Sequence, residues 1–129
     1  MTEALDIYRR LASGNPETYG QNVATTLNDL GSLHGNAQRL EEAEWEYKEA
    51  LEIRRRLASG NPAAYEPDLA MTLNNLAVLE MDRANPTSAM RYAQEALDVY
   101  SQCNRRSPGG FDSDLQRVRG LLKDLSERQ

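Results

Sequence analysis

The sequence predicts an all-α protein, a solenoid of antiparallel helix pairs with about six helices. The first observation is an internal repeat: E-A-L-D-I-Y-R-R-L-A-S-G-N-P at residues 3–16 returns as E-A-L-E-I-R-R-R-L-A-S-G-N-P at residues 49–62. The two copies share 12 of 14 positions at an offset of 46 residues, and 24–30 matches 70–76 at the same offset. The second observation is that apolar residues recur three and four positions apart, which is the spacing of amphipathic helices. A period of this length is typical of stacked helical units.

Composition narrows the class of protein. The chain has 129 residues, 40% of them apolar, which is enough for one domain with a buried core. Its 15 basic and 20 acidic residues give a formal net charge of -5, which disfavours nucleic acid and anionic membranes as partners. No apolar run approaches the roughly 20 residues of a membrane helix, and the N-terminus lacks the pattern of a signal peptide. We therefore expect a soluble, cytoplasmic protein.

Breaks in the apolar pattern predict where the first three helices begin and end. They are expected at about residues 2–13, 21–34 and 39–59. The first ends at Gly14, where glycine tolerates the left-handed cap, and the following Pro16 cannot continue the helix. The second is expected to bury the following residues: Val23, Leu27, Leu30 and either Leu33 or His34. The third is expected to bury these: Leu40, Ala43, Tyr47, Ala50, Leu51 and Leu57.

Three further helices follow in the second half of the chain. We expect the fourth to start at Pro67, because proline suits a first helical turn and Asp68 suits the positive end of the helix dipole. The fifth and sixth are expected at about 87–104 and 111–127. Their inward residues are expected to be these: Leu69, Leu73, Leu76, Leu79, Ala89, Ala93, Ala96, Leu97, Tyr100, Phe111, Leu115, Val118, Leu122 and Leu125.

Short motifs within these segments resemble a known repeat family. The segment 27–31 reads L-x-x-L-G, and Ala43, Tyr47 and Ala50 follow with the spacing A-x-x-x-Y-x-x-A. The pattern resembles the tetratricopeptide repeat, and a less complete match follows in these residues: Leu73, Leu76, Ala77, Ala89, Ala93 and Ala96. The resemblance implies a right-handed superhelix built from helix pairs. The first helix of each pair, called the first-type helix, lines a concave groove for a protein or peptide partner.

The chain departs from the common pattern of this family in three ways. Its period is 46, where the common repeat has about 34 residues. The extra residues lengthen the second helix and add an N-P-x-x-Y connector, as in repeats of kinesin light chains and bacterial signalling ATPases, which suggests a bacterial source. His34 and Glu80 stand where the family usually has tyrosine. Arg119 and Lys123 stand where packing residues are usual, which indicates a solvent-facing cap at the end of the stack.

The resemblance extends over nearly the whole chain, so we expect a single domain spanning residues 1–129. It divides into an unpaired helix at 1–14, repeat one at 19–60, repeat two at 65–105 and a capping helix at 111–127. Two interpretations of the unpaired helix remain open. Either it caps the stack, or the chain is a fragment or subunit whose upstream partner lies elsewhere.

The resemblance places the partner on the face of the second and fourth predicted helices opposite their leucine stripes. Helical spacing assigns these residues to that face: Thr25, Asn28, Asp29, Ser32, Met71, Asn74, Asn75 and Val78. Asn28 and Asn74 recur at the repeat offset, and an asparagine amide can hydrogen-bond the backbone of an extended peptide. Copying of one ancestral repeat would also explain their recurrence.

Basic residues on the predicted groove are few. Paired lysines or arginines are missing from the second and fourth predicted helices, which argues against the carboxylate clamp of some tetratricopeptide chaperone cofactors. Arg117 is the only basic candidate. The sequence favours a partner with apolar side chains on Met71 and Val78.

Trp45 is a candidate for a second interface. It lies opposite the stripe of its helix and is expected to be at least partly exposed, and tryptophan is enriched at binding hot spots. Its function would be contact with another protein, including a second copy of this chain. Coverage by a neighbouring helix or by an arginine side chain is the alternative.

Signals of catalysis or of bound metal are weak. The sequence contains no phosphate-binding glycine loop, no H-E-x-x-H and no G-x-S-x-G. Cys103 is the only cysteine. His34 is expected to be structural, and the arginine runs at 9–10, 54–56 and 105–106 are expected to offset helix dipoles. We predict an interaction module without catalysis, cofactor or metal; the alternative is an assembly subunit that self-associates through its terminal helices or Trp45.

Overall fold

The structure, a computed structural model, describes residues 16–128 together with Asp6 and Arg10. The described part contains five helices and no strand: α1 Pro16–Asn36, α2 Leu40–Gly60, α3 Pro62–Asp82, α4 Pro86–Arg106 and α5 Asp112–Arg128. Of the helix predicted at 2–13, only Asp6 and Arg10 are described, and both are helical and exposed. The rest of that prediction lies outside the described residues.

The 46-residue offset of the sequence is also the offset of the structure. Helices α1 to α4 have 21 residues each, and both ends of α1 and α2 recur 46 positions later in α3 and α4. Each helix packs against the next along the chain, and α1 also touches α3. The predicted all-α solenoid of helix pairs is therefore confirmed.

The predicted start of the fourth helix was wrong. Helix α3 begins at Pro62 instead of Pro67, and the N-P-x-x-Y segment is helical instead of a connector. Asn61 caps this end, since its side chain accepts a hydrogen bond from the Ala64 amide at 3.4 Å. Pro62 takes the first position, where a missing N–H costs nothing, and Pro67 lies one turn later, where it removes a single backbone bond. Helix α1 likewise begins at Pro16 instead of Gln21.

The buried core forms two clusters. The smaller lies between α1 and α2 and contains Val23, Ala24, Leu27, Leu30 and Ala50. The larger extends from α2 to α5 and contains most of the predicted leucine and alanine stripes. The two helices of repeat one approach closely at Gly31, because a Cβ there would lie 2.7 Å from the Tyr47 ring. The glycine of L-x-x-L-G is therefore required by packing.

The turns inside the two repeats are also copies of one another. Gln38 and Ala84 have φ of 62° and 60°, the left-handed conformation that usually favours glycine. The Arg39 amide donates to the His34 carbonyl and the Asn85 amide to the Glu80 carbonyl, both at 2.8 Å. These bonds close the ends of α1 and α3 in the manner of a Schellman cap.

The C-terminal helix starts later than the repeat offset alone would place it. Gly109 has φ of 81°, and the Asn104 side chain accepts from the Phe111 amide at 3.1 Å. Helix α5 therefore begins at Asp112. Its Leu115, Val118 and Leu125 are buried, whereas Arg119 and Lys123 are exposed.

Candidate functional site

The predicted groove residues divide into an exposed set and a buried set. On α1, Thr25, Asp29 and Ser32 are exposed. On α3, the exposed fractions of Met71 and Val78 are 38% and 42%, and Asn75 is half-buried. We call these six residues the α1–α3 face. It joins two first-type helices and carries two apolar side chains among polar ones.

The two asparagines of the predicted ladder are buried. The Asn28 Oδ1 accepts hydrogen bonds from the Asn75 Nδ2 at 3.2 Å and from the Thr72 Oγ1 at 3.4 Å. Asn74 is equally buried, but its Oδ1 has no hydrogen-bond partner. Asn28 therefore joins α1 to α3, whereas the Oδ1 of Asn74, the equivalent residue in repeat two, makes no such contact.

Arg54 is the polar residue that sequence reasoning missed. It is almost fully buried, and its Nη1 donates to the Thr72 Oγ1 at 2.7 Å and to the Asp68 carbonyl at 3.4 Å. Burial lowers the pKa of the guanidinium, while the negative charge of Asp68 opposes that shift. The assignment of this arginine to a helix dipole was wrong, because α2 continues to Gly60.

The contacts of Arg54 extend across three helices. Arg54 on α2 holds Thr72 on α3, and Thr72 in turn donates to Asn28 on α1. Near the start of α1, the Gln21 Nε2 donates to the Asp68 Oδ2 at 2.7 Å. Polar bonds thus fix the register of α1 beside α3, which positions the α1–α3 face.

Hydrogen bonds also connect Ser32 of this face, and Arg117 of the predicted groove, to neighbouring residues. Burial raises the pKa of Tyr47, and a hydrogen bond with the exposed Ser32 opposes the shift. Arg117, the basic candidate on α5, donates to the Asp114 Oδ1 at 2.8 Å and to the Tyr100 hydroxyl at 3.4 Å. Burial raises the pKa of Tyr100 to about 12. Arg117 is exposed, but a carboxylate of its own helix already lies beside it.

Trp45 lies on α2 with 60% of its surface exposed. It lines an open cleft with three carboxylates, those of Glu41, Glu42 and Glu46. The Glu46 Oε1 lies 2.6 Å from the His34 Nδ1, so that pair links α2 to the end of α1. His34 has a structural contact, and Trp45 presents an aromatic surface with an acidic rim.

The described residues show few features of a metal-binding or nucleophilic site. Within residues 16–128, no three His, Cys, Asp or Glu side chains come together in a way that could hold a metal ion. Burial raises the pKa of the Cys103 thiol, which lowers its thiolate fraction and hence its nucleophilicity. In the same part of the chain, no helix has the length and apolar character needed to cross a membrane.

Comparison with known proteins agrees with the geometry. A family model described as tetratricopeptide repeat matches residues 22–102, which is more than half of the chain. No curated protein sequence matches significantly. The matched residues run from α1 to α4, the helices that repeat at an offset of 46. The chain therefore belongs to the tetratricopeptide repeat family.

Proposed function

We propose that this chain is a non-catalytic interaction module that binds an extended protein segment or peptide along the α1–α3 face, in a concave groove. Tetratricopeptide repeats generally mediate protein–protein interaction, and residues 22–102 of this chain match that family. The observation that carries the proposal is the exposure of Met71 and Val78 on one first-type helix, beside the polar residues of another.

The spacing of Met71 and Val78 indicates how far apart the apolar side chains of the partner should be. Met71 and Val78 are seven residues apart, so they lie about 10 Å apart along the helix axis. In an extended chain with the polyproline II conformation, side chains three residues apart lie on the same side and about 9 Å apart. The proposed partner therefore presents two apolar side chains about three residues apart.

Polar groups on the same face suit the backbone of such a segment. Thr25 and Ser32 carry hydroxyls, and the Asn75 amide retains hydrogen-bonding capacity beyond its bond to Asn28. Asp29 is the one charged residue of the six. Asn28 and Asn74 are buried, and in this proposal they shape the face from beneath.

Finer aspects of the proposal rest on the repeat length and the charge. The 46-residue period supports a kinesin-light-chain-like subtype and, through bacterial signalling ATPases, a bacterial source. The net charge of -5 supports a protein partner over nucleic acid or membrane. We propose the cytoplasm as its location, which the single buried thiol of Cys103 supports.

Selection from a random peptide phage library on the purified chain tests the proposal. Selected peptides should carry two apolar residues about three positions apart, the spacing that the polyproline II conformation brings to one side. Their affinity for the Met71→Asp/Val78→Asp variant should fall by about tenfold or more, since both contacts would be replaced by charges. Both residues are exposed, so the circular dichroism spectrum should stay unchanged.

Trp45→Ala is the control for this experiment. It also removes an exposed apolar side chain, but from α2, so peptide affinity should stay unchanged. Peptides that bind the double variant as well as the wild type would refute the α1–α3 face as the site. Loss of binding in Trp45→Ala alone would move the site to α2.

Self-association is a second candidate function, favoured by the exposure of Trp45 within an acidic rim. Light scattering over a concentration series measures it directly. A stable dimer that becomes a monomer on Trp45→Asp would support the second candidate. A mass near 14.5 kDa at every concentration would exclude it.

A further inference from the structure

Helices α1 and α3, which form the α1–α3 face, are acidic. They carry six acidic residues and no lysine or arginine. On the face itself Asp29 is the charged residue, and its side chain is exposed. Arg117, the basic residue of the predicted groove, lies on α5 and donates to Asp114 at 2.8 Å. The face therefore presents a negative charge beside its two apolar side chains.

The buried guanidinium beneath the face does not balance this charge. Arg54 donates hydrogen bonds to neutral oxygens, the Thr72 hydroxyl and the Asp68 carbonyl. Burial lowers the pKa of Arg54, and the negative charges of Asp68 and Asp29 oppose that shift. One buried positive charge thus faces two negative ones. Asp68 is half-buried and accepts from the Gln21 amide at 2.7 Å, so the exposed Asp29 is the carboxylate that a partner can reach.

Hydrogen bonds between α1 and α3 fix the level at which Asp29 lies. They join residues 44 to 47 positions apart in the chain, and the two helices advance in the same direction. Adding these offsets to 29 places Asp29 level with residues 73–76 of α3. Met71 precedes this range and Val78 follows it. Asp29 therefore lies across the face from α3, at a level between the two apolar side chains.

The geometry of the proposed partner segment brings one of its side chains next to Asp29. A segment in the polyproline II conformation has three residues per turn and a rise of about 3.1 Å per residue. When residues i and i+3 of the segment cover Met71 and Val78 on α3, the two residues between them project to its other sides. One of these two positions faces α1 at the level of Asp29.

We propose that the partner segment carries a lysine or arginine at one of the two positions between its apolar residues, and that this cation pairs with Asp29. Charge complementarity identifies the occupant, because an acidic face attracts a basic segment and repels an acidic one. The inference rests on the proposed function, since it takes the segment to lie on the α1–α3 face.

Parallel phage selections test the pairing. The same random peptide library is applied to the wild type, to Asp29→Lys and to Asp98→Lys. Peptides from the wild type should carry lysine or arginine between the two apolar residues, and peptides from Asp29→Lys should carry aspartate or glutamate there. Asp98 is exposed on α4, so Asp98→Lys makes the same change in net charge away from the face and should select basic residues as the wild type does.

A charge swap measures the pair directly. A fluorescein-labelled synthetic peptide from the wild-type selection is titrated with each protein, and binding is followed by fluorescence anisotropy. Its affinity should fall about two- to fivefold for Asp29→Asn, which keeps the shape of the side chain, and about fivefold or more for Asp29→Lys. A second peptide, with glutamate in place of the basic residue, should bind Asp29→Lys more tightly than it binds the wild type. Asp29 is exposed, so the circular dichroism spectra of both variants should match that of the wild type.

The outcomes that contradict the pairing differ from those that contradict the binding face. Selected peptides that carry the apolar pair without a basic residue would overturn this inference and leave the proposed function standing. So would an affinity that both Asp29 variants leave unchanged while Met71→Asp/Val78→Asp reduces it. Peptides without the apolar pair, or with full affinity for the Met71→Asp/Val78→Asp variant, would refute both.

Discussion

Two junctions of this solenoid lie one repeat offset apart and differ in the chemistry of their equivalent positions. At the inner junction, where α1 and α2 meet α3, the four key residues are polar: Arg54, Thr72, Asn28 and Asn75. At the outer junction, formed by α3, by α4 and by α5 packed against α4, the residues 46 positions later are these: Tyr100, Val118, Asn74 and Leu121. Three hydrogen bonds join the inner set, whereas the Asn74 Oδ1 has none.

The comparison shows what the polar junction adds. An apolar contact tolerates small shifts, whereas a buried hydrogen-bonded network fixes one geometry, because a displaced partner leaves a buried group unpaired. The inner junction holds α1 and α3 in one register, and these helices carry the proposed binding face. At the outer junction, the Asn74 Oδ1 takes part in no such network.

The largest expected effect comes from removing the central residue of the inner junction. Arg54→Ala leaves the Thr72 hydroxyl and the Asp68 carbonyl without their donor and opens a cavity. We expect the free energy of unfolding in urea to fall by about 3 kcal/mol. A loss below about 1 kcal/mol would show that the network does not hold the junction.

Converting the inner junction into the outer one sharpens this test. The triple variant Arg54→Tyr/Thr72→Val/Asn75→Leu gives the inner positions the residues of their equivalents. Because buried ionic networks can often be replaced by apolar groups of similar volume, we expect its stability to lie within about 1 kcal/mol of wild type. A triple variant as unstable as Arg54→Ala would contradict the equivalence of the two junctions.

The two copied asparagines should respond differently to the same change. Asn28→Ala removes the acceptor for Thr72 and Asn75 and should cost about 1.5 kcal/mol of unfolding free energy. Asn74→Ala removes an oxygen that has no partner and should cost about 0.5 kcal/mol or less. Urea denaturation of both variants measures the difference. Equal losses would mean that the hydrogen bonds of Asn28 contribute nothing.

Glu80, the counterpart of His34, should make stability depend on pH. Burial and the hydrogen bond with Glu44 raise the pKa of Glu80, so folding favours its protonated form and stability is lost as pH rises above its ordinary pKa. Glu80→Gln mimics the protonated form. We expect it to match wild type near pH ~4 and to exceed it by about 1 kcal/mol near pH ~7. A difference that does not change with pH would exclude this role for Glu80.

A small stabilising effect is expected at the turns, where the two repeats do not differ. Gln38→Gly and Ala84→Gly relieve the left-handed conformation of a residue with a Cβ. Each should increase the free energy of unfolding by about 0.5 to 1 kcal/mol, which thermal denaturation would show as a higher midpoint temperature. Unequal gains would show that the two turns are less alike than their hydrogen bonds indicate.

Much of the fold follows from the sequence because segments 3–16 and 49–62 are nearly identical and the apolar pattern recurs at the same offset of 46 residues. The 46-residue offset predicts the helix pairs, and the apolar stripes identify most of the core. The start of α3 was misplaced because Pro67 is a strong signal for a first turn, whereas Asn61 and Pro62 form an equally good one five residues earlier. Two adequate start signals cannot be ranked by local pattern alone.

The candidate site was less predictable because burial depends on neighbours that the pattern of one helix does not show. Asn28 and Asn75 each lie within three residues of an exposed side chain on the same face. Asn28 is buried and Asn75 is half-buried, and this difference arises from the packing of α1 against α3. A usable signal did exist for Arg54, which lies three positions after Leu51 and four before Ala58, within the buried stripe. An arginine at such spacing predicts a buried polar contact.

The most direct test of the proposed function is an amide NMR titration of the chain with a peptide selected from the library. The proposal predicts chemical shift changes concentrated on the α1–α3 face, at Thr25, Ser32, Met71 and Val78, with little change at Trp45 or Leu33. Changes centred on Trp45 or Leu33, with Met71 and Val78 unaffected, would contradict it.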